Sequence, residues 1–230
     1  MKEITLKVKD IKEYILIHFG KLMTDNGFLY KKTDNEFFCS KGDYTYIFNM
    51  PLTSWSRSYE LSVRLFIKQK RIENVYESIL GKSHGLTLNQ EMIERIYYSP
   101  DGRKIVKGDG MGIWLVKDND IINAVDILNI YYNKIAKPYF ERFSTLGAFD
   151  DFMNNPPFDH SPAYIGSTTN ERCMKGLIVA KLVNNPNYEK LVAIYDELIK
   201  RTLSDVQPDS ITNYNKVKEY LEHNKLPLKG

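Results

Sequence analysis

The stretch from Phe28 to Lys68 constrains the fold more than any other part of this chain, because apolar and polar residues alternate there. In its last segment the apolar residues fall at every second position: Tyr59, Leu61, Val63, Leu65 and Ile67. Successive side chains of a strand point to opposite faces, so these five share one face and the mostly polar residues between them share the other. The pattern predicts an antiparallel sheet with one buried and one solvated face.

Turn-forming residues divide this stretch and predict how its strands connect. Thr33–Asn35 and Lys41–Asp43 are short enough to join neighbouring antiparallel strands, which indicates a β-meander. Pro51–Arg57 is predicted as a longer loop that carries Trp55. Before the meander, Asp10 and Glu13 predict the capped start of an amphipathic helix that ends at Asn26-Gly27.

Helical periodicity dominates the second half of the chain. Arg71–Leu80 predicts a short helix closed by Gly81, and further strands are expected between Ile93 and Val116. From Asn119 onward apolar residues recur at helical spacing, with Pro138 expected to bend or end the first helix. Asn184-Asn185-Pro186 predicts the tight turn of a helical hairpin.

The predicted fold class is therefore α+β, with an antiparallel β-meander sheet flanked by helices and a C-terminal helical portion. We expect residues 1–118 to form the α+β domain and residues 119–230 to form the helical portion, packed on the sheet. The irregular, proline-containing segment 154–167 is the candidate boundary.

Composition argues against several partners and locations. The 32 basic and 29 acidic residues leave a formal charge of only +3, so the charge alone does not predict a nucleic-acid partner, and weak nucleic-acid binding through basic residues and the aromatic residues of the sheet is kept as the third hypothesis. No apolar run approaches the roughly 20 residues that span a bilayer, and no signal peptide is recognisable. We therefore expect a cytoplasmic protein that does not bind membranes, with Cys39 and Cys173 reduced.

Residues with catalytic chemistry do not form a recognisable motif, so no catalytic residue, metal ligand or cofactor is assigned. His18 lies within an apolar helical stripe and is predicted to be a hydrogen-bonded core histidine. Asp150-Asp151 is interpreted as a charged helix face. His84 and His160 lie in predicted loops and leave open an enzyme, hydrolase-like, whose site is assembled from distant residues.

Aromatic residues in predicted loops favour a different function, the binding of another protein. Trp55 and Arg57 share the loop before the long alternating segment, and both residue types are enriched at binding hot spots. Phe158 and Tyr164 lie in the irregular segment after the first helices. These four residues are the candidate binding residues, with Trp55 packed back over the sheet edge as the alternative for that side chain.

A resemblance adds one possible context for such binding. The order of an initial helix, Gly27-Phe28-x-x-Lys31-Lys32, an aromatic strand at Phe37-Phe38 and the alternating strand through Ile67 resembles an uncharacterised family of bacterial domains. Some members of that family are suspected immunity proteins, which neutralise toxins from neighbouring cells. The resemblance covers about the first half of the chain and implies a protein partner without catalytic residues.

Overall fold

The structure, a computed structural model, describes residues 7–81, 86–90, 96–98, 104–106, 112–155, 169–201, 208–224 and 226. Within these residues no helix combines the length and the apolar character needed to cross a membrane. The boundary predicted within 154–167 falls almost entirely outside the described residues and stays a prediction.

Helices precede, interrupt and follow the strands. The helices are α1 (Val8–Asp25), α2 (Lys70–Leu80), α3 (Asn119–Tyr131), α4 (Lys137–Arg142), α5 (Leu146–Asn154), α6 (Thr169–Leu182), α7 (Tyr188–Arg201) and α8 (Pro208–His223). The strands are β1 (Leu29–Lys31), β2 (Glu36–Lys41), β3 (Tyr44–Asn49), β4 (Leu52–Ser54), β5 (Tyr59–Ser62), β6 (Arg64–Gln69), β7 (Leu88–Gln90), β8 (Ile96–Tyr98), β9 (Lys104–Val106) and β10 (Gly112–Leu115).

Within the described residues the strands form three sheets. A five-stranded sheet has the order β1-β2-β3-β6-β7, a three-stranded sheet has the order β10-β5-β4, and β8 pairs with β9. In the first sheet β1 and β2 are antiparallel, with Tyr30 opposite Phe37. The α+β class, with antiparallel sheets flanked by helices and helices at the C-terminus, is thereby confirmed.

The alternating segment is buried as predicted, but it forms two strands. Leu61, Val63, Leu65 and Ile67 are all buried. The ladder breaks at Val63, where β5 ends in the three-stranded sheet and β6 begins in the five-stranded one. The alternation of buried and exposed side chains therefore continues from β5 into β6 although the two strands belong to different sheets, because both strands turn their apolar side chains toward the interior.

Two compact units divide the chain. The first comprises Met1–Lys41, Thr45–Phe66 and Gln90–Glu141, and the second comprises Gly42–Tyr44, Ile67–Asn89 and Arg142–Gly230.

An aromatic core holds the first unit together. The buried side chains of α1 recur at every fourth position, namely Ile11, Ile15, Phe19 and Met23. The Phe19 ring packs edge-on against Phe37 of β2, with centroids 5.8 Å apart, and lies 5.4 Å from the Phe48 ring of β3. Each fully buried phenylalanine contributes about 1.5–3 kcal/mol by leaving water, so this contact anchors α1 to the meander.

The start of α1 differs from the prediction by one turn. The helix begins at Val8 with Lys7 as its N-cap, and the Asp10 carboxylate accepts a hydrogen bond from the Lys7 amide at 3.0 Å. Asp10 is thus the third residue of the helix, from which a carboxylate can reach back to the cap.

The long helical run after Asn119 passes through Pro138 without ending. Between α3 and α4 the residues Tyr132–Ala136 form a π-helical turn. Proline lacks an amide hydrogen and its ring clashes with the carbonyl four residues earlier. The wider turn directly before α4 is a recognised way of absorbing such a defect, so Pro138 changes the winding and α4 continues to Arg142.

The second unit is built around a helix that is buried along most of its length. Twelve residues of α6 are buried, including the charged Glu171, Arg172 and Lys175. The Lys175 ammonium lies 3.0 Å from the Glu73 carboxylate of α2 and 2.9 Å from that of Glu171, and all three side chains are nearly or fully buried. Buried charges are tolerated only when paired, so α6 and α2 meet at an ion cluster as well as at apolar surface.

The helical hairpin formed by α6 and α7 is confirmed. Asn184 has a positive φ of 54°, and the Asn185 side chain accepts a hydrogen bond from the Asn187 amide at 2.8 Å. Asparagine tolerates the left-handed conformation better than most residues, which explains the tight turn between Leu182 and Tyr188.

Candidate binding surface

The loop that carries Trp55 is a tight hairpin connection. Leu52–Ser54, predicted as loop, is strand β4, because it pairs with β5 and places Ser54 opposite Tyr59. The Trp55 amide donates a hydrogen bond to the Ser58 carbonyl at 2.9 Å and closes the loop. Trp55 and Arg57 are both exposed in it.

Strand β10 brings a second tryptophan to the same sheet. Ile113 and Leu115 are buried, whereas Trp114 between them is 40% exposed. In the antiparallel register Trp114 lies opposite Glu60 of β5, and Glu60 lies opposite Thr53 of β4. These three residues therefore form one cross-strand row on the outer face of the sheet.

The two tryptophans pack against each other on that face. Their ring centroids are 5.8 Å apart with the planes tilted by 38°, a distance typical of favourable aromatic pairs. Trp55 is 53% exposed, and its indole nitrogen donates to a carboxylate oxygen of Glu60 at 3.3 Å. We call Trp55, Glu60 and Trp114 together the tryptophan face.

The absence of a side chain at Gly112 leaves room for the Glu60 side chain. A Cβ atom at position 112 would overlap the Glu60 side chain, whose methylene group and carboxylate occupy that space. The glycine therefore allows Glu60 to lie over β10, where its carboxylate reaches the Trp55 indole. The exposed rings are thus held by a strand pair, a closed hairpin loop and a hydrogen bond.

The predicted binding residues have different outcomes. The structure places Trp55 and Arg57 on an exposed hairpin, and their role in binding stays a prediction. Trp55 contacts a second exposed tryptophan, and more than half of its surface remains open to solvent. Phe158 and Tyr164 lie outside the described residues.

The histidines offer no described catalytic site. His84 and His160 fall outside the described residues. The prediction of a core histidine at His18 is wrong, because this side chain is exposed and packs against the Tyr14 ring at 4.2 Å. The apolar stripe of α1 is narrower than the sequence pattern implied, and it passes beside His18.

Trp114 is the residue that the sequence prediction missed. The sequence carried no alternation that marked it, because Ile113-Trp114-Leu115-Val116 is a continuous apolar run, and only the structure shows Trp114 exposed between two buried residues. A tryptophan at an outward position of a strand is unusual enough to mark a surface.

A polar cavity in the second unit was also not predicted from the sequence. It has a volume of about 330 Å³ and lies between the end of α5 and the turn from α6 to α7. Its wall includes Asp150, whose carboxylate accepts hydrogen bonds of 2.6 Å from Asn154 and from Asn185. Asp150 is buried, and this burial raises the pKa of its carboxyl group. The interpretation of Asp150 as part of a charged outer helix face is therefore wrong.

Further hydrogen bonds tie this cavity wall to the core of the second unit. The Asn154 amide also donates to the Gly176 carbonyl at 2.9 Å, and the Tyr195 hydroxyl donates to the Asn154 side-chain oxygen. The donors and acceptors of this cavity wall therefore form hydrogen bonds with one another, which is typical of a structural network. Among the residues that the structure describes, no group of histidine, cysteine and carboxylate side chains is arranged to hold a metal ion.

Comparison with known proteins adds no relative. The chain matches no family model, no curated protein and no solved structure.

Proposed function

We propose that this protein binds another protein through the tryptophan face. The observation that supports the proposal is the pairing of the two tryptophans of the chain, distant in sequence, on the outer surface of one small sheet. Exposed tryptophans are costly to maintain in water, and interfaces concentrate tryptophan, tyrosine and arginine at their centres. Arg57, exposed on the hairpin beside Trp55, adds an arginine to this surface.

The exposed ring surface is large enough to matter for affinity. With about 250 Å² for a whole tryptophan, the exposed fractions of 53% and 40% leave roughly 230 Å² uncovered. At about 25 cal/mol per Å², covering this surface releases about 5–6 kcal/mol before the costs of association. The partner is expected to carry an apolar patch that covers both rings and a basic group that faces the Glu60 carboxylate.

The immunity interpretation is a more specific form of this proposal. It rests on the resemblance of the first half of the chain, and in it the partner is a toxic protein that the tryptophan face holds inactive. An immunity protein works by occupying a surface, so it needs no catalytic residues of its own. The bound toxin would be expected to lose activity in proportion to the occupied fraction.

The experiment compares the native chain with Trp55→Ala, Trp114→Ala and the double variant as baits in a native lysate. The native chain is expected to retain a stoichiometric partner, and each single variant is expected to bind it at least roughly 30-fold more weakly, which corresponds to about 2 kcal/mol at a hot spot. Ile194→Ala is the control, because Ile194 is also a 40% exposed apolar residue but lies on α7.

Intrinsic fluorescence reports this surface directly, since the chain has two tryptophans and both lie on it. Titration with the recovered partner is expected to shift the emission to shorter wavelength as the rings leave water. Recovery of no stoichiometric partner, or equal retention by the double variant with an unchanged circular dichroism spectrum, would contradict the proposal. The immunity form fails separately if the recovered partner is harmless when it is expressed alone.

A further inference from the structure

A groove on the first unit lies between the exposed side of α1 and strand β1. Its volume is about 750 Å³, and its wall is formed by Val8, Lys9, Lys12, Glu13, Leu16, Tyr30 and Lys32. The residues at positions 9, 12, 13 and 16 share one side of the helix because they recur at three- and four-residue spacing. None of the groove residues belongs to the tryptophan face.

The strand that borders the groove has an open edge. In the part of the chain that the structure describes, β1 is the outermost strand of its sheet and pairs only with β2. In an antiparallel pair alternate residues direct their amide and carbonyl groups away from the partner strand, so β1 presents backbone groups that another extended chain can bind. Peptide recognition by strand addition uses this arrangement.

The charges around the groove have one dominant sign. Three lysines and one glutamate line it, so its net charge is +2. Among the described residues no carboxylate lies within ion-pair distance of Lys9, Lys12 or Lys32, whereas Lys31 on the same strand pairs with Asp34 at 2.5 Å. The lysines of the groove are therefore available to a ligand of opposite charge.

The rest of the groove is apolar and well supported. Leu16 is 38% exposed, and the Tyr30 ring is held by packing at 5.0 Å against Phe37 while its hydroxyl donates to Asn35 at 2.7 Å. The same two elements also carry Ile17 and Leu29, each 63% exposed. Within the groove itself the apolar wall is formed by Val8, Leu16 and Tyr30, whereas Ile17 and Leu29 lie outside it.

We infer that this groove binds an acidic peptide segment of a partner protein, in extended conformation beside β1. The three residues of β1 span roughly 10 Å at 3.3 Å per residue. The helix from Val8 to Leu16 spans about 12 Å at 1.5 Å per residue. The groove therefore accommodates three to four extended residues, with carboxylates toward the lysines and alternate apolar side chains toward Leu16 and Tyr30.

The test screens the full-length chain against a displayed library of random octapeptides, then titrates the enriched peptides by fluorescence anisotropy. We expect enrichment of Asp or Glu alternating with apolar residues, and weaker binding as salt is raised because exposed charges are screened. Lys9→Glu/Lys12→Glu is expected to weaken binding at least tenfold. Lys21→Glu is the matched control, because Lys21 lies on the same helix but outside the groove, and this variant should bind within about twofold of the native chain.

Each contrary result would overturn the inference. These results are the absence of enrichment, enrichment of basic peptides, equal weakening by Lys21→Glu, or loss of binding in Trp55→Ala/Trp114→Ala, which would place the peptide on the tryptophan face. Binding to vesicles containing phosphatidylserine that an enriched peptide does not displace would identify a membrane surface as the occupant instead. The double tryptophan variant also separates this inference from the proposed function. It should abolish partner binding at the tryptophan face and leave peptide binding in the groove unchanged.

Discussion

Replacement of Lys175 by methionine tests how the second unit is held together. Lys175 is fully buried, and its ammonium group pairs with Glu73 and Glu171 and donates to the Leu86 carbonyl. Methionine keeps the length and the apolar stem of the side chain but removes the charge. The two buried carboxylates would then remain in the interior without the lysine that faces them both.

The expected loss of stability is large for one side chain. Removing one partner from a buried ion pair costs about 3–5 kcal/mol, because the remaining charge stays desolvated. For a chain of this size each kcal/mol lowers the melting temperature by about 2–4 °C, so the variant should melt roughly 6–20 °C below the native chain. Lys218→Met provides the scale, since Lys218 pairs with Asp196 at 3.0 Å but the two side chains are 24% and 30% exposed. A partly solvated pair is worth about 1 kcal/mol or less.

Thermal melts followed by circular dichroism at 222 nm measure the effect, because the second unit is largely helical and both tryptophans lie in the first. The decisive comparison is with Lys175→Met/Glu73→Gln/Glu171→Gln, in which the carboxylates are neutral. This triple variant should recover at least half of the lost stability. The reasoning is refuted if the triple variant is no more stable than Lys175→Met, or if Lys175→Met melts no lower than Lys218→Met.

Three further predictions concern helix glycines and buried side chains. Gly176→Ala should lower the free energy of unfolding by about 1–2 kcal/mol in urea titrations, because its Cβ would lie 2.9 Å from the Asn154 side-chain oxygen and 2.9 Å from the Tyr195 hydroxyl, and overpacking outweighs the gain in helix propensity. Gly20→Ala, whose nearest contact is a flexible leucine methyl at 3.2 Å, should be neutral or stabilising; the reverse order would contradict this reasoning. Burial raises the pKa of Cys173 to about 12, so in a Cys39→Ser chain Ellman's reagent at pH 8 should react only on unfolding, since about one thiol in 10⁴ is ionised; rapid reaction of the native chain would refute it. Because burial raises the pKa of Asp150 in the folded state, its stability contribution is complete below the unfolded pKa near 3.9 and is lost as pH rises through the folded value. The unfolding free energy of the native chain minus that of Asp150→Asn should therefore fall as pH rises above about 3.9, and a difference that grows with pH would count against this assignment.

Local sequence signals predicted several elements well. The turn at Gly81, the hairpin at Asn184-Asn185 and the buried face from Leu61 to Ile67 each depend on a few neighbouring residues, and the structure confirms them. Errors arose where a local pattern was read too broadly. His18 matches the period of the α1 stripe but lies beside it, and the alternation around Val63 continues although the chain changes sheets.

The residues of the candidate binding surface likewise include some that the sequence identified and some that only the structure revealed. Trp55 and Arg57 were recognisable because tryptophan and arginine in a polar loop are distinctive residue types. The contact with Trp114 was not, because it depends on the register that pairs β10 with β5 across a long stretch of chain. Asp150 and Lys175 were equally hidden, since burial of a charged residue is decided by the elements that cover it and not by its neighbours in sequence.

The sequence alone therefore determined the α+β class, most turns and the alternation of buried and exposed side chains, because backbone preferences and hydrophobic period act over a few residues. The tertiary structure decided which distant side chains meet: the paired tryptophans, the lysine between two glutamates and the basic groove beside β1. The physical reason is that these arrangements arise from strand register and helix packing, which bring together elements that lie far apart in the sequence.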